Sequence, residues 1–180
     1  DSVVRIWNKN RFFLRKSRGF VPDPLPVNYD SHILSVGAGE NICGAFSSDK
    51  NIFATQYIGN SKYYSTIVFL EEALYHLMNL TMKKQGIDAV VMDLHPGYET
   101  KYVAKKYAEE YSVPLFEVQH HWAHAASLLV DNRLDEAVVL TLDGLGYGSD
   151  GNFWGGEVLY SNFEEFERVA LVNHGIKFSF

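Results

Sequence analysis

The feature that most constrains this chain is an alternation. Short apolar runs at Ile87 to Leu94, Leu115 to Gln119 and Ala137 to Leu142 are separated by stretches with apolar residues at helical spacing. Between Ser61 and Gln85, residues Ile67, Leu70, Leu74, Leu77, Met78 and Met82 share one helical face, and Gly86 stands where a helix terminator belongs. Further helices are predicted over Glu99 to Tyr111 and from near His121 to just before Arg133. Three strand-like runs precede them, His32 to Val36, Asn41 to Ser47 and Asn51 to Tyr57, divided by Gly37-Ala-Gly39 and Ser48-Asp49-Lys50 in the manner of a β-meander. The order is βββαβαβα, an α/β class with a largely parallel sheet, helices on its faces and an antiparallel part from the meander. After Asp135 the pattern restarts, with runs at Ala137 to Leu142, Asn152 to Tyr160 and Phe166 to Asn173 and no helix after them. This reads as a structural duplication with an incomplete second lobe. Its half-sheet, carrying Phe153, Trp154, Val158, Leu159, Phe166 and Val169, is expected to expose apolar surface.

Upstream, Val3 to Leu14 reads as two short strands around Asn8-Lys9-Asn10, and prolines 22, 24 and 26 then predict an extended linker. Boundaries are expected near Asn28 and Asp135, giving segments 1–27, 28–135 and 136–180. The chain opens on Asp1 and closes on Phe180 after an apolar run, so a piece of a longer protein is expected.

With 180 residues, 47% hydrophobic and 21% charged, the composition is globular. A net charge of -6 argues against a dedicated nucleic-acid binder. Lys9, Arg11, Arg15, Lys16 and Arg18 form one local basic cluster, either a solvated surface or a phosphate contact. The single cysteine, Cys43, excludes an internal disulfide, which points to an intracellular, cytoplasmic setting. No apolar run approaches the roughly 20 residues of a membrane helix, so no membrane partner is expected.

His120 and His124 are four apart at a strand-to-helix junction, which puts them about 40° apart around a helix axis. Such a pair can bind one divalent metal, or can be half-buried packing. Asp143 ends the apolar run Val138-Val-Leu-Thr-Leu142, where α/β sheets place ligands. Glycines 144, 146, 148 and 151 around Tyr147 would let backbone approach a phosphate, the alternative being a simple hairpin turn. Two imidazoles and one carboxylate with open positions suit Fe(II) or Zn(II) acting as a Lewis acid. His121, about 100° around from His120, is expected in a supporting or substrate-facing position. His95, in Asp93-Leu-His-Pro96 after an apolar strand, is a candidate substrate contact.

Gln119-His-His-Trp-Ala-His124, Leu142-Asp-Gly-Leu-Gly-Tyr-Gly148, Trp154-Gly-Gly-Glu157 and Asp93-Leu-His-Pro96 together resemble the HypF family of hydrogenase maturation carbamoyltransferases. Asp1-Ser-Val-Val-Arg5 and Arg15-Lys-Ser-Arg-Gly-Phe-Val-Pro22 are similar to the tail of that family's YrdC-like domain. The rest resembles the first part of its TsaD-like, ASKHA-type domain. The resemblance implies activation of carbamoyl phosphate by ATP as carbamoyl adenylate, then carbamoyl transfer to the C-terminal cysteine of HypE. It assigns His120, His124 and Asp143 to the metal, and it leaves His95, His121, Gly144, Gly146, Tyr147 and Arg18 as substrate or nucleotide contacts. Departures are present: Gly37-Ala-Gly-Glu-Asn-Ile42 lacks the family's lysine, and Trp122 and Gly97 replace a histidine and an aspartate. An isolated piece would be inactive. The alternatives are a small-molecule O-carbamoyltransferase, a TsaD-type tRNA-modifying enzyme, or a non-catalytic remnant that binds a protein.

Overall fold

A computed structural model describes residues 2–17, 19–81 and 86–171. The chain forms two compact units, Asp1–Glu117 and Val118–Phe180.

The first unit opens with β1 (Val3–Trp7) and β2 (Asn10–Arg15), an antiparallel ribbon closed by Asn8 and Lys9, both at positive φ. A six-stranded sheet follows in the order β3 (Leu25–Pro26), β6 (Asn51–Ala54), β5 (Ala45–Ser48), β4 (Ile33–Ser35), β7 (Ala89–Asp93), β8 (Leu115–Val118). The expected meander is present, with β4, β5 and β6 antiparallel and β4 parallel to β7. The proline-rich stretch departs from the expected linker, because Leu25 and Pro26 pair with Ile52 and Asn51. A strand containing proline is tolerated there because β3 is at the sheet edge, where a missing amide costs no ladder bond.

Helix α1 (Tyr64–Thr81) buries Leu70, Leu74, Leu77 and Met78, the face read from their spacing; Met82 lies outside the described residues. Helix α2 (Thr100–Tyr111) turns Val103, Ala104 and Tyr107 inward and ends at Ser112, whose left-handed φ of 55° lets its N–H reach the carbonyls of Ala108 and Glu109. These faces close over Leu34, Phe46 and Val90, all fully buried. Each such side chain contributes about 1.5–3 kcal/mol through removal from water.

The second unit holds α3 (His120–Asn132) and a three-stranded antiparallel sheet of β9 (Glu136–Tyr147), β10 (Phe153–Asn162) and β11 (Phe166–Leu171) in the order β11-β10-β9. The half-sheet is not bare on both sides. Helix α3 packs on β9 and β10, covering Val139, Trp154 and Leu159, while Val138, Leu140 and Leu142 on the other face of β9 are exposed. The described residues include no helix long and apolar enough to cross a membrane.

Candidate metal centre

Strand β9 does not stop at Asp143. Leu142 pairs with Gly156 and Gly146 with Trp154, so Asp143, Gly144 and Leu145 stand opposite Gly155 alone, as a bulge. Alternation puts Val139, Thr141 and Asp143 on one side of the strand, and Val139 and Thr141 are buried. Asp143 is therefore aimed toward the start of α3.

Its carboxylate meets the histidine pair there. His120 Nε2 lies 2.9 Å from Asp143 Oδ2 and 3.3 Å from His124 Nε2. The three donor atoms lie within 4.8 Å of one another. Asp143 Oδ1 accepts from the Gly144 N–H at 2.7 Å, while the buried Oδ2 has the His120 contact and no further partner among the described residues. A buried carboxylate oxygen needs a donor or a cation, and an ion shared with the two imidazoles would satisfy it. Metal-bound imidazole nitrogens at about 2.0–2.1 Å from a tetrahedral ion are about 3.3 Å apart, so the donor set fits a small divalent ion. Two nitrogens and one oxygen that leave positions open suit Fe(II) or Zn(II).

Gln119 caps α3. Its Oε1 accepts from Trp122 N–H at 2.8 Å, and its Nε2 donates to the Tyr147 carbonyl at 3.1 Å. The same Nε2 lies 3.2 Å from His121 Nδ1, while His121 Nε2 is 2.9 Å from the Gly155 carbonyl. The His121 ring is fully buried, and burial, outweighing the Gly155 hydrogen bond and the Asp143 charge, holds it below the usual imidazole range. The enclosed His121 ring, within hydrogen-bond reach of protein groups at both nitrogens, packs beside His120. Gly146 permits this, because a Cβ there would overlap the His121 ring and press on His120. Gly144 borders open space, so its backbone is accessible.

Behind the strand, Glu157 is buried and takes a two-pronged contact from Arg168, Nε at 2.7 Å and the second terminal nitrogen at 3.1 Å, and it accepts from Gly155 N–H at 3.0 Å. Trp154 donates to Asp150, whose carboxyl is held below its usual range mainly by the Asn152 N–H.

His95 belongs to the first unit. Its Nδ1 accepts from Gly97 N–H at 2.9 Å, which leaves the ring proton on Nε2, and the ring stacks on Tyr98 at 4.0 Å. Arg18 lies outside the described residues. Sequence reasoning missed Gln119 and the bulge. The glycines at 144 and 146 signalled an irregularity but not its register.

Two family models match this chain: the HypF Kae1-like domain over residues 28–131, and the second subdomain of the carbamoyltransferase Kae1-like domain over 139–175. A probable carbamoyltransferase HypF from Methanocaldococcus jannaschii is 45% identical over 94% of this chain and 22% of its own length. Carbamoyltransferase HypF from Synechocystis is 34% identical, with the same coverage. A crystal structure of T. kodakarensis HypF superposes with a TM-score of 0.88 at 39% identity, covering 96% of this chain and 23% of that one. Full-length HypF in a phosphate- and nucleotide-bound form matches at a TM-score of 0.85 and 30% identity, over 94% of this chain and 22% of that one. The chain thus spans about a fifth of the length of these relatives.

Proposed function

The chain belongs to the HypF family of carbamoyltransferases, and from that premise we propose that it supplies the metal-binding part of an ATP-dependent carbamoyl transfer. The substrates are carbamoyl phosphate and ATP, joined as carbamoyl adenylate. The acceptor is the C-terminal cysteine thiolate of a HypE-like protein in the cytoplasm. The convergence of His120, His124 and the buried Asp143 Oδ2 carries this reading.

These three residues would hold the Fe or Zn ion, which supplies Lewis-acid polarisation of a substrate phosphoryl or carbonyl oxygen when bound. The chain's own groups do the rest. Gly144 offers accessible backbone beside the Asp143 carboxylate, and with Gly146 and Tyr147 on the same bulged strand it is the proposed contact for the nucleotide's phosphate. His95, after β7, is a candidate substrate contact. Residues 1–27, 28–135 and 136–180 correspond to the end of a YrdC-like domain, a first TsaD-like lobe and the start of a second.

In the intact protein, His120→Ala and His124→Ala should each abolish carbamoyl transfer and leave the circular dichroism spectrum unchanged. The 180-residue chain alone should give no carbamoyl-phosphate-dependent ATP cleavage. Undiminished transfer by either variant after metal depletion would overturn the assignment.

A further inference from the structure

The two residues that flank His120 are tied to opposite strands of the bulge that carries Asp143, Gln119 to Tyr147 on β9 and His121 to Gly155 on β10. Gln119 Oε1 accepts from the Trp122 N–H, so its Nε2 is the donor end of the amide. That end reaches the Tyr147 carbonyl and His121 Nδ1. His121 Nδ1 therefore accepts, its proton sits on Nε2, and Nε2–H donates to the Gly155 carbonyl. Tyr147 lies just beyond the bulge on β9, and Gly155 is the residue of β10 that the register skips opposite it.

Resting on the metal reading above, we infer that Gln119 and His121 form a buried relay that positions two metal ligands against each other, His120 on α3 and Asp143 on the bulge. Both side chains are buried. The relay brackets the bulge from both strands, and its only consistent proton arrangement is the one just described. Gly155 is held from both ends, its carbonyl by His121 and its N–H by Glu157 Oε1 at 3.0 Å. Glu157 is in turn fixed by Arg168, so the anchor of the relay is itself rigid. Partners of metal-ligating histidines commonly change metal affinity by 10–100-fold when replaced. This relay acts one residue further along the backbone, on the separation of His120 Nε2 and Asp143 Oδ2, now 2.9 Å.

The test is Zn2+ affinity of the intact protein by chelator competition, for the site that His124→Ala removes. Gln119→Glu keeps the shape and the cap acceptor but presents an oxygen to His121 Nδ1 and the Tyr147 carbonyl. It should weaken Zn2+ at least about 10-fold and move the His121 proton from Nε2 in 15N spectra. Trp122→Phe removes a different hydrogen bond of the same helix, to the Asn162 carbonyl at 3.1 Å, and should lower the melting temperature without changing Zn2+ affinity. If Gln119→Glu does not fold, the uncharged Gln119→Met carries the same expected loss of Zn2+ affinity, with the His121 proton staying on Nε2. Wild-type affinity in the Gln119 variants, or an equal loss in Trp122→Phe, overturns the relay alone. A wild-type protein with no Zn2+ site overturns the relay and the metal reading together.

Discussion

At the scale of single residues, the candidate site is set by which side chains can approach one another. Gly146 decides how near β9 comes to α3, because any Cβ there would run into the His121 ring. Gly146→Ala should therefore cost about 1–3 kcal/mol through overpacking. It should also lower metal affinity, since the displaced ring sits beside His120. Thermal melts and Zn2+ titration of the intact protein check both. His120, His124 and Asp143 were legible in the sequence because their chemistry is local. A four-residue imidazole spacing and an acid at the end of an apolar run each carry a signal without tertiary information. Gln119 was not legible. Glutamine is not among the preferred capping residues, and its value arises only when Tyr147, distant in sequence, is brought beside it.

At the scale of elements, periodicity located the helices well, since the buried faces of α1 and α2 follow the apolar spacing directly. It did not reveal that α3 covers the strands that follow it, because a helical pattern says which face is apolar and not which sheet receives it. Nor did the proline run disclose β3, whose pairing depends on an edge position that sequence does not encode. Packing of α2 makes a further prediction. The Tyr107 phenol is pushed up from 10.0 to about 12, first by burial and then by the Glu71 charge. Folding therefore favours the protonated phenol. The associated stability is fully present below the unfolded value of 10.0 and is lost as pH rises toward about 12. Denaturant melts from pH 9 to 11.5 should show that decline, and Tyr107→Phe should flatten it. An unchanged slope in the variant would assign the decline to other groups.

At the scale of the whole molecule, the two units contribute differently to the proposal. The second carries the ligand helix, the bulge and the relay, with Val138, Leu140 and Leu142 exposed on the sheet face away from α3. The first carries the six-stranded sheet and His95. In the proposed function, His120, His124 and Asp143 together hold one divalent ion. The most direct measurement is the metal content of the purified intact protein, wild type against the His120→Ala, His124→Ala double variant. The expectation is one divalent ion fewer in the variant, with folding retained. Equal metal content in the two proteins would contradict it.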